Sequence, residues 1–181
     1  MKRTIWIWEL FGFAVTVLCG TLLHFLYDWL GGAVFVAPFS GVNESTWEHM
    51  KLLFWPMLIF GIAQSFFFKG YESFPCVKLR AILIGLALIP ILFYTYNGVI
   101  GKSPDWINIA IFFVSAAAAY VYEGAALKKG SVKCKCSIFP AAVLIAIALL
   151  FIIFTFYTPE IAIFKDPLAL NQSNGLIFIV T

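Results

Sequence analysis

Five stretches of this chain run for about the length of a bilayer crossing with almost no charge inside them, and that leaves few folds open to it. A span needs ~20 predominantly apolar residues, or ~17–25 with tilt. The first interval runs from about Ile5 to Trp29, interrupted near its ends by Glu9, His24 and Asp28; the others lie between Lys51 and Lys69, Arg80 and Lys102, Asp105 and Glu123, and Lys135 and Glu160. None alternates with period two, and every backbone polar group inside a bilayer must be paired within the protein, so the intervals are read as helices. The expected fold is all-α: a polytopic transmembrane bundle forming one transmembrane domain over residues 1–181. The expected spans are about 5–29, 46–68, 80–100, 105–127 and 137–158, with 159–181 as an outer-surface tail. Composition agrees. The chain is 62% hydrophobic and 12% charged, contains 20 Phe in 181 residues, and has a mean hydropathy of +0.97, too apolar for a water-soluble globule of its size.

Short loops rich in Lys and Arg stay on the cytoplasmic side. Lys2 and Arg3 precede the first span, Lys69, Lys78 and Arg80 occupy the second loop, and Lys128, Lys129, Lys133 and Lys135 the fourth. The 31–45 loop has neither residue, and the loop before Asp105 has only Lys102. This predicts the N-terminus inside, the C-terminus outside, and a multi-pass location in a bacterial plasma membrane. The net charge of +3 then reports topology, and no nucleic-acid partner is expected. A secretory signal is rejected, because the first apolar run is too long and no small-residue cleavage site follows it. Leu18 is also the wrong neighbour for lipid modification of Cys19.

Cys76, Cys134 and Cys136 fall on loops assigned to the reducing cytoplasm, where disulfides are rare. Cys134-Lys135-Cys136 is a weak soft-metal motif without a second pair, and is read as a solvated basic loop. Asn43-Glu44-Ser45 and Asn171-Gln172-Ser173 fit the glycosylation pattern, which carries no meaning in a bacterial chain. After Pro159 the apolar runs are too short to cross, so that segment is placed on the outer surface, where it can cap a pocket.

Chemistry is concentrated in Asn43-Glu44-Ser45-Thr46-Trp47-Glu48-His49, at the mouth of the second span. Ionisable side chains at membrane depth are costly and mark sites. Ser45-Thr46-Trp47-Glu48 is also a capping box, an ordinary duty for Glu48, and the helix dipole favours Glu44 there; neither local reason covers His49. On the first helix Gly12, Thr16, Gly20, His24 and Asp28 recur every four residues, drifting ~40° per step, so neighbouring members share a face that packs into the bundle. At ~1.5 Å per residue His24 lies some 8 Å, and His49 some 6 Å, below the outer ends of their helices. A glycine-containing 31–45 loop lets those helices sit antiparallel and adjacent. His24, Asp28, Glu44, Glu48 and His49 are then expected in one outward pocket, rimmed by Phe25, Tyr27, Trp29, Phe39 and Trp47. His24, Asp28, Glu44 and His49 are the candidate ligands for a divalent transition metal, zinc, iron or manganese. Glu48 and His49 are the candidate catalytic acid and base. Tyr94, Tyr96, Asn97, Asp105, Asn108, Glu160 and Asp166 lie at the same level, with Asp105 reading as an ordinary helix start. Glu9 and Glu123, near the lysines, are expected in ion pairs; the alternative for Glu123 is an ion path.

Val36-Ala37-Pro38-Phe39-Ser40, then Val42-Asn43-Glu44-Ser45 and Trp47-Glu48-His49, resembles the signature of a family of small bacterial multi-pass membrane proteins of unknown function. Phe164-x-Asp166-Pro167 is similar to that family's tail, although the family continues with Thr and Tyr-Gly where Leu168 to Thr181 diverges. The resemblance implies a membrane fold and strengthens the importance of the motif, but supplies no activity.

Three functional classes stay open on the sequence. The first is a metal-binding or acid/base enzyme acting on a membrane lipid or small amphiphile. The second is a small-solute binding or transport protein, adequate in size as a homodimer or docked on a partner membrane protein. The third is an accessory subunit whose polar cluster only pins two helices together.

Overall fold

In the computed structural model, which describes residues 2–130, 132–134 and 138–167, the chain folds into five long helices. They are α1 (Lys2–Trp29), α2 (Thr46–Phe67), α3 (Phe74–Val99), α4 (Asp105–Lys129) and α5 (Ile138–Phe156), followed by a 3₁₀ turn at Ala162–Phe164. No strand occurs among the described residues. All five helices are long and apolar enough to cross a membrane, as expected of a multi-pass membrane protein.

Successive helices run antiparallel. Ile5 at the start of α1 and Phe74 and Val77 at the start of α3 share one buried cluster with Phe68, just after α2, and with Ala126 and Leu127 near the end of α4. Lys69, Lys78, Lys128 and Lys129 belong to that end, called here the lysine end. The main core, including Leu53, Phe54, Met57, Ile82, Ala116 and Ala119, lies between α2, α3 and α4. Large side chains such as Leu10, Leu18, Ile59, Ile91, Ile109 and Leu149 are left exposed. In a bilayer such a surface faces hydrocarbon, so its exposure costs nothing there.

Close approach of α1 follows from its small residues. A Cβ on Gly12 would stand 2.5 Å from the Phe60 ring and 2.6 Å from that of Tyr120; on Gly20 it would stand 2.6 Å from Phe112 and 2.9 Å from the Leu52 carbonyl oxygen. Thr16, between them, is fully buried and its hydroxyl bonds to that of Tyr120 at 2.7 Å. The face predicted from the four-residue spacing is therefore the packed one.

Two expectations are corrected. Helix α3 begins at Phe74, not near residue 80, with Pro75 in its first turn, so Lys78 and Arg80 are helical. Lys78 fits there because it is buried against Glu123 of α4 at 2.7 Å, a partner 45 residues away. Cys76 and Cys134, read from sequence as free thiols, are joined in a disulfide whose Cα atoms are 5.7 Å apart. Antiparallel packing brings the start of α3 beside the segment after α4, which a sequence separation of 58 conceals. Cys136 lies outside the described residues.

Candidate functional site

The loop joining α1 to α2 is a folded strap. Gly31 and Gly32 have φ of 62° and 78°, the left-handed region that glycine enters without a Cβ penalty, and they turn the chain off α1. The strap is then fastened at several points. Gly41 N–H donates to Leu23 O at 3.3 Å, Trp55 Nε1 donates to Pro38 O at 2.9 Å, and Lys51 Nζ donates to Ala37 O at 2.8 Å. Lys51 is wholly buried and also meets Glu48 Oε2 at 2.6 Å and Thr155 Oγ1 of α5 at 3.0 Å. The Val36-Ala37-Pro38-Phe39-Ser40 motif is thereby tied to α2. Sequence reading treated Lys51 only as the boundary of a span; its position three residues after Glu48 was the available signal.

The capping box forms by half. Ser45 Oγ accepts from Glu48 N–H at 3.4 Å, but the Glu48 carboxylate accepts from Val42 N–H at 2.9 Å, and Asn43 Oδ1 takes the Ser45 N–H at 2.9 Å. With Lys51 as its other partner, Glu48 is engaged beneath the strap and is not part of the cavity wall described next.

Between the ends of α1, α2, α3 and α4 that lie away from the lysine end is a cavity of about 350 Å³. His24, Glu44 and His49 meet on its wall. His24 Nε2 is 3.5 Å from Glu44 Oε1, His49 Nε2 is 3.6 Å from Glu44 Oε2, and the two rings are 5.5 Å apart. One ligand atom from each of the three residues falls within 4.8 Å of the others, the only such His, Cys, Asp or Glu group among the described residues. The tautomer of His49 follows from its other nitrogen. Nδ1 lies 2.9 Å from Ser45 O, and a carbonyl oxygen only accepts, so Nδ1 is the donor. In the neutral ring Nε2 then turns a bare lone pair toward a carboxylate oxygen, an arrangement that calls for a proton or a metal cation between them.

Asp28 does not join this group. It stands one turn beyond His24 on the last turn of α1, where the accumulated drift turns it out to solvent. The expected rim is likewise only partly formed. Phe25 lines the cavity, stacked on an exposed Trp29, whereas Trp47 packs among Phe151, Phe154 and Phe164, and Phe39 packs on Trp55.

The far wall comes from α3, α4 and their connection. Asn97, Asp105 and Asn108 line it, as their level in the sequence suggested, together with Lys102 and Ser103, which sequence reading passed over. Ser103 N–H donates to Asn97 Oδ1 at 2.9 Å and Ser103 Oγ donates to Asn108 Oδ1 at 2.8 Å, so the loop is held to both helices. Apolar lining is supplied by Phe25, Leu52, Phe93, Ile109, Phe112 and Phe113. Thr21 and Phe25 of α1 and Ile109 and Phe113 of α4, all on this wall, are exposed. Pro167, in the tail expected to cap the pocket, does reach its wall, and Phe164 is buried just before it.

A family model described as a family of unknown function, DUF6512, matches residues 2–173. No curated protein and no solved structure matches the chain.

Proposed function

We propose that this chain, which belongs to the DUF6512 family, uses its cavity to bind a divalent transition metal together with a lipid or small amphiphile, and acts on that amphiphile by acid/base chemistry. The observation that carries the reading is the meeting of His24, Glu44 and His49, with His49 Nδ1 committed to Ser45 O and its Nε2 left for a cation. Two imidazoles and one carboxylate suit zinc, iron or manganese, and three protein ligands are the number a catalytic zinc site uses while keeping a position open.

Bound there, the metal supplies a Lewis acid and a water that ionises near neutral pH. The chain's own contributions are orientation and selection. Ser45 O fixes the His49 ring; Asn97, Lys102, Ser103 and Asn108 offer the polar and cationic contacts for a headgroup; the phenylalanines take its apolar part. The volume falls at the low end of the ~300–1,000 Å³ usual for small-molecule pockets. Asp105 is the second carboxylate on the wall beside Glu44, so the proton-carrying role foreseen for Glu48 is better placed on Asp105. The apolar lining beside these polar groups suits an amphiphile that partitions into the bilayer.

Element analysis of the purified protein and of His49→Ala tests the proposal. About one equivalent of transition metal per chain in the parent, lost in the variant while thermal stability without metal is kept, is the expected result. Equal metal content in both, or none in either under metal-replete preparation, would refute it.

A further inference from the structure

At the lysine end, on the opposite side of the bundle from the cavity, four polar side chains from four helices are buried together. They are Glu9 of α1, Gln64 of α2, Lys78 of α3 and Glu123 of α4, with exposures of 2%, 0%, 3% and 0%. Lys78 Nζ donates to Glu123 Oε2 at 2.7 Å, and Gln64 Nε2 donates to Glu9 Oε1 at 3.4 Å. Lys78 also lies over the rings of Phe74 and Tyr120, and the Tyr120 hydroxyl is occupied by Thr16. The Glu9 and Glu123 carboxyl groups face each other. The titratable groups around them are Lys78 from α3 and Tyr120 from α4, with Gln64 the neutral polar side chain from α2.

Three oxygens are then left buried with no hydrogen-bond partner: Glu9 Oε2, Glu123 Oε1 and Gln64 Oε1. All three are acceptors, and the hydrogen bonds that Lys78 and Gln64 make in the cluster go to the other carboxylate oxygens. Two carboxylates against one ammonium also leave an unbalanced negative charge where little water reaches, which is strongly disfavoured.

We infer that Glu9 and Glu123 bind one exchangeable proton between them, making this cluster a proton site distinct from the metal cavity. A proton on one carboxyl gives an O–H that donates to the other and cancels the excess charge, and no covalent bond between heavy atoms changes. Glu9 is seven residues into α1 and Glu123 six from the end of α4, so the proton travels about 10 Å from the lysine-end surface. The charge of Lys78 is spent on Glu123, which is why a second positive equivalent is required.

Glu9→Gln is the discriminating variant, because it leaves Glu123 and Lys78 as a balanced pair and supplies an amide donor. The full-length protein in detergent is followed by thermal unfolding across pH and by the infrared carbonyl band of protonated carboxyl groups. The wild type should lose stability as pH rises and lose one carboxyl band with it; Glu9→Gln should lack that band and be at least as stable as the wild type at alkaline pH. A parallel fall of both proteins with pH, or absence of the band from the wild type at every pH, would overturn the inference. So would stabilisation of the wild type but not of Glu9→Gln by Na⁺ over choline at constant pH, which would assign the site to an alkali cation instead.

Discussion

Replacing Lys51 by Met removes the only ammonium beneath the strap and keeps nearly the same length of chain. Lys51 has three partners, Glu48 Oε2, Ala37 O and Thr155 Oγ1, and both it and Glu48 are almost fully buried. In Lys51→Met the Glu48 carboxylate keeps only the Val42 N–H. Breaking a buried pair from one side costs about 3–5 kcal/mol, since the remaining charge stays desolvated and unopposed. Adding Glu48→Gln removes that charge while an amide oxygen still accepts from Val42. The double variant then lacks mainly the donors to Ala37 O and Thr155 Oγ1, a loss of about 1–2 kcal/mol at ~1 kcal/mol per hydrogen bond. Unfolding in a non-ionic detergent, followed for the wild type, both single variants and the double, gives the coupling directly. We expect Lys51→Met to be the least stable of the four and the double variant to recover about half or more of the loss. Additivity of the two single effects within about 0.5 kcal/mol would refute the reasoning, because independent sites behave that way.

The α1–α2 seam gives a second prediction: Gly20→Ala drives a Cβ against the Leu52 carbonyl and Phe112, so it should destabilise by about 1–3 kcal/mol and weaken metal binding as the helices part, read by thermal unfolding and metal titration. Gly41→Ala, whose added carbon meets His24 Nδ1 at 3.4 Å, should leave both nearly unchanged. Reduction of Cys76–Cys134 should lower the unfolding temperature of the oxidised protein, and Cys76→Ser should make stability indifferent to reductant. Lys102→Ala should diminish thermal stabilisation by an anionic amphiphile more than by a neutral one of equal chain length, since Lys102 is the cationic side chain among the described cavity residues.

The helices were legible because a bilayer makes the problem nearly one-dimensional: a charge-free run of sufficient length has no alternative to a helix. The meeting of His24 with His49 was legible too, from the four-residue stripe on α1 and the glycine-bearing connection that lets α1 and α2 lie side by side. What escaped the sequence depends on distant partners. Lys78 looked like a loop lysine because Glu123, which accommodates it inside the bundle, is on another helix. Lys51 looked like a membrane boundary because its carbonyl partner is in the strap and its hydroxyl partner on α5. Glu48 passed for a site residue since its neighbours in sequence are Trp47 and His49, yet a helix turns successive side chains by about 100°, which sends it to Lys51 instead. Asp28, one turn farther along α1, is exposed and stands outside the group of His24, Glu44 and His49.

Cobalt titration of the chelator-stripped protein puts the central claim at greatest risk, because the visible spectrum of bound Co²⁺ reports the number and kind of its ligands. The account predicts one site per chain with imidazole ligation, lost in His24→Ala and His49→Ala, weakened in Glu44→Gln and intact in Asp28→Ala. A spectrum unchanged by either histidine substitution, or no saturable binding at all, would contradict it.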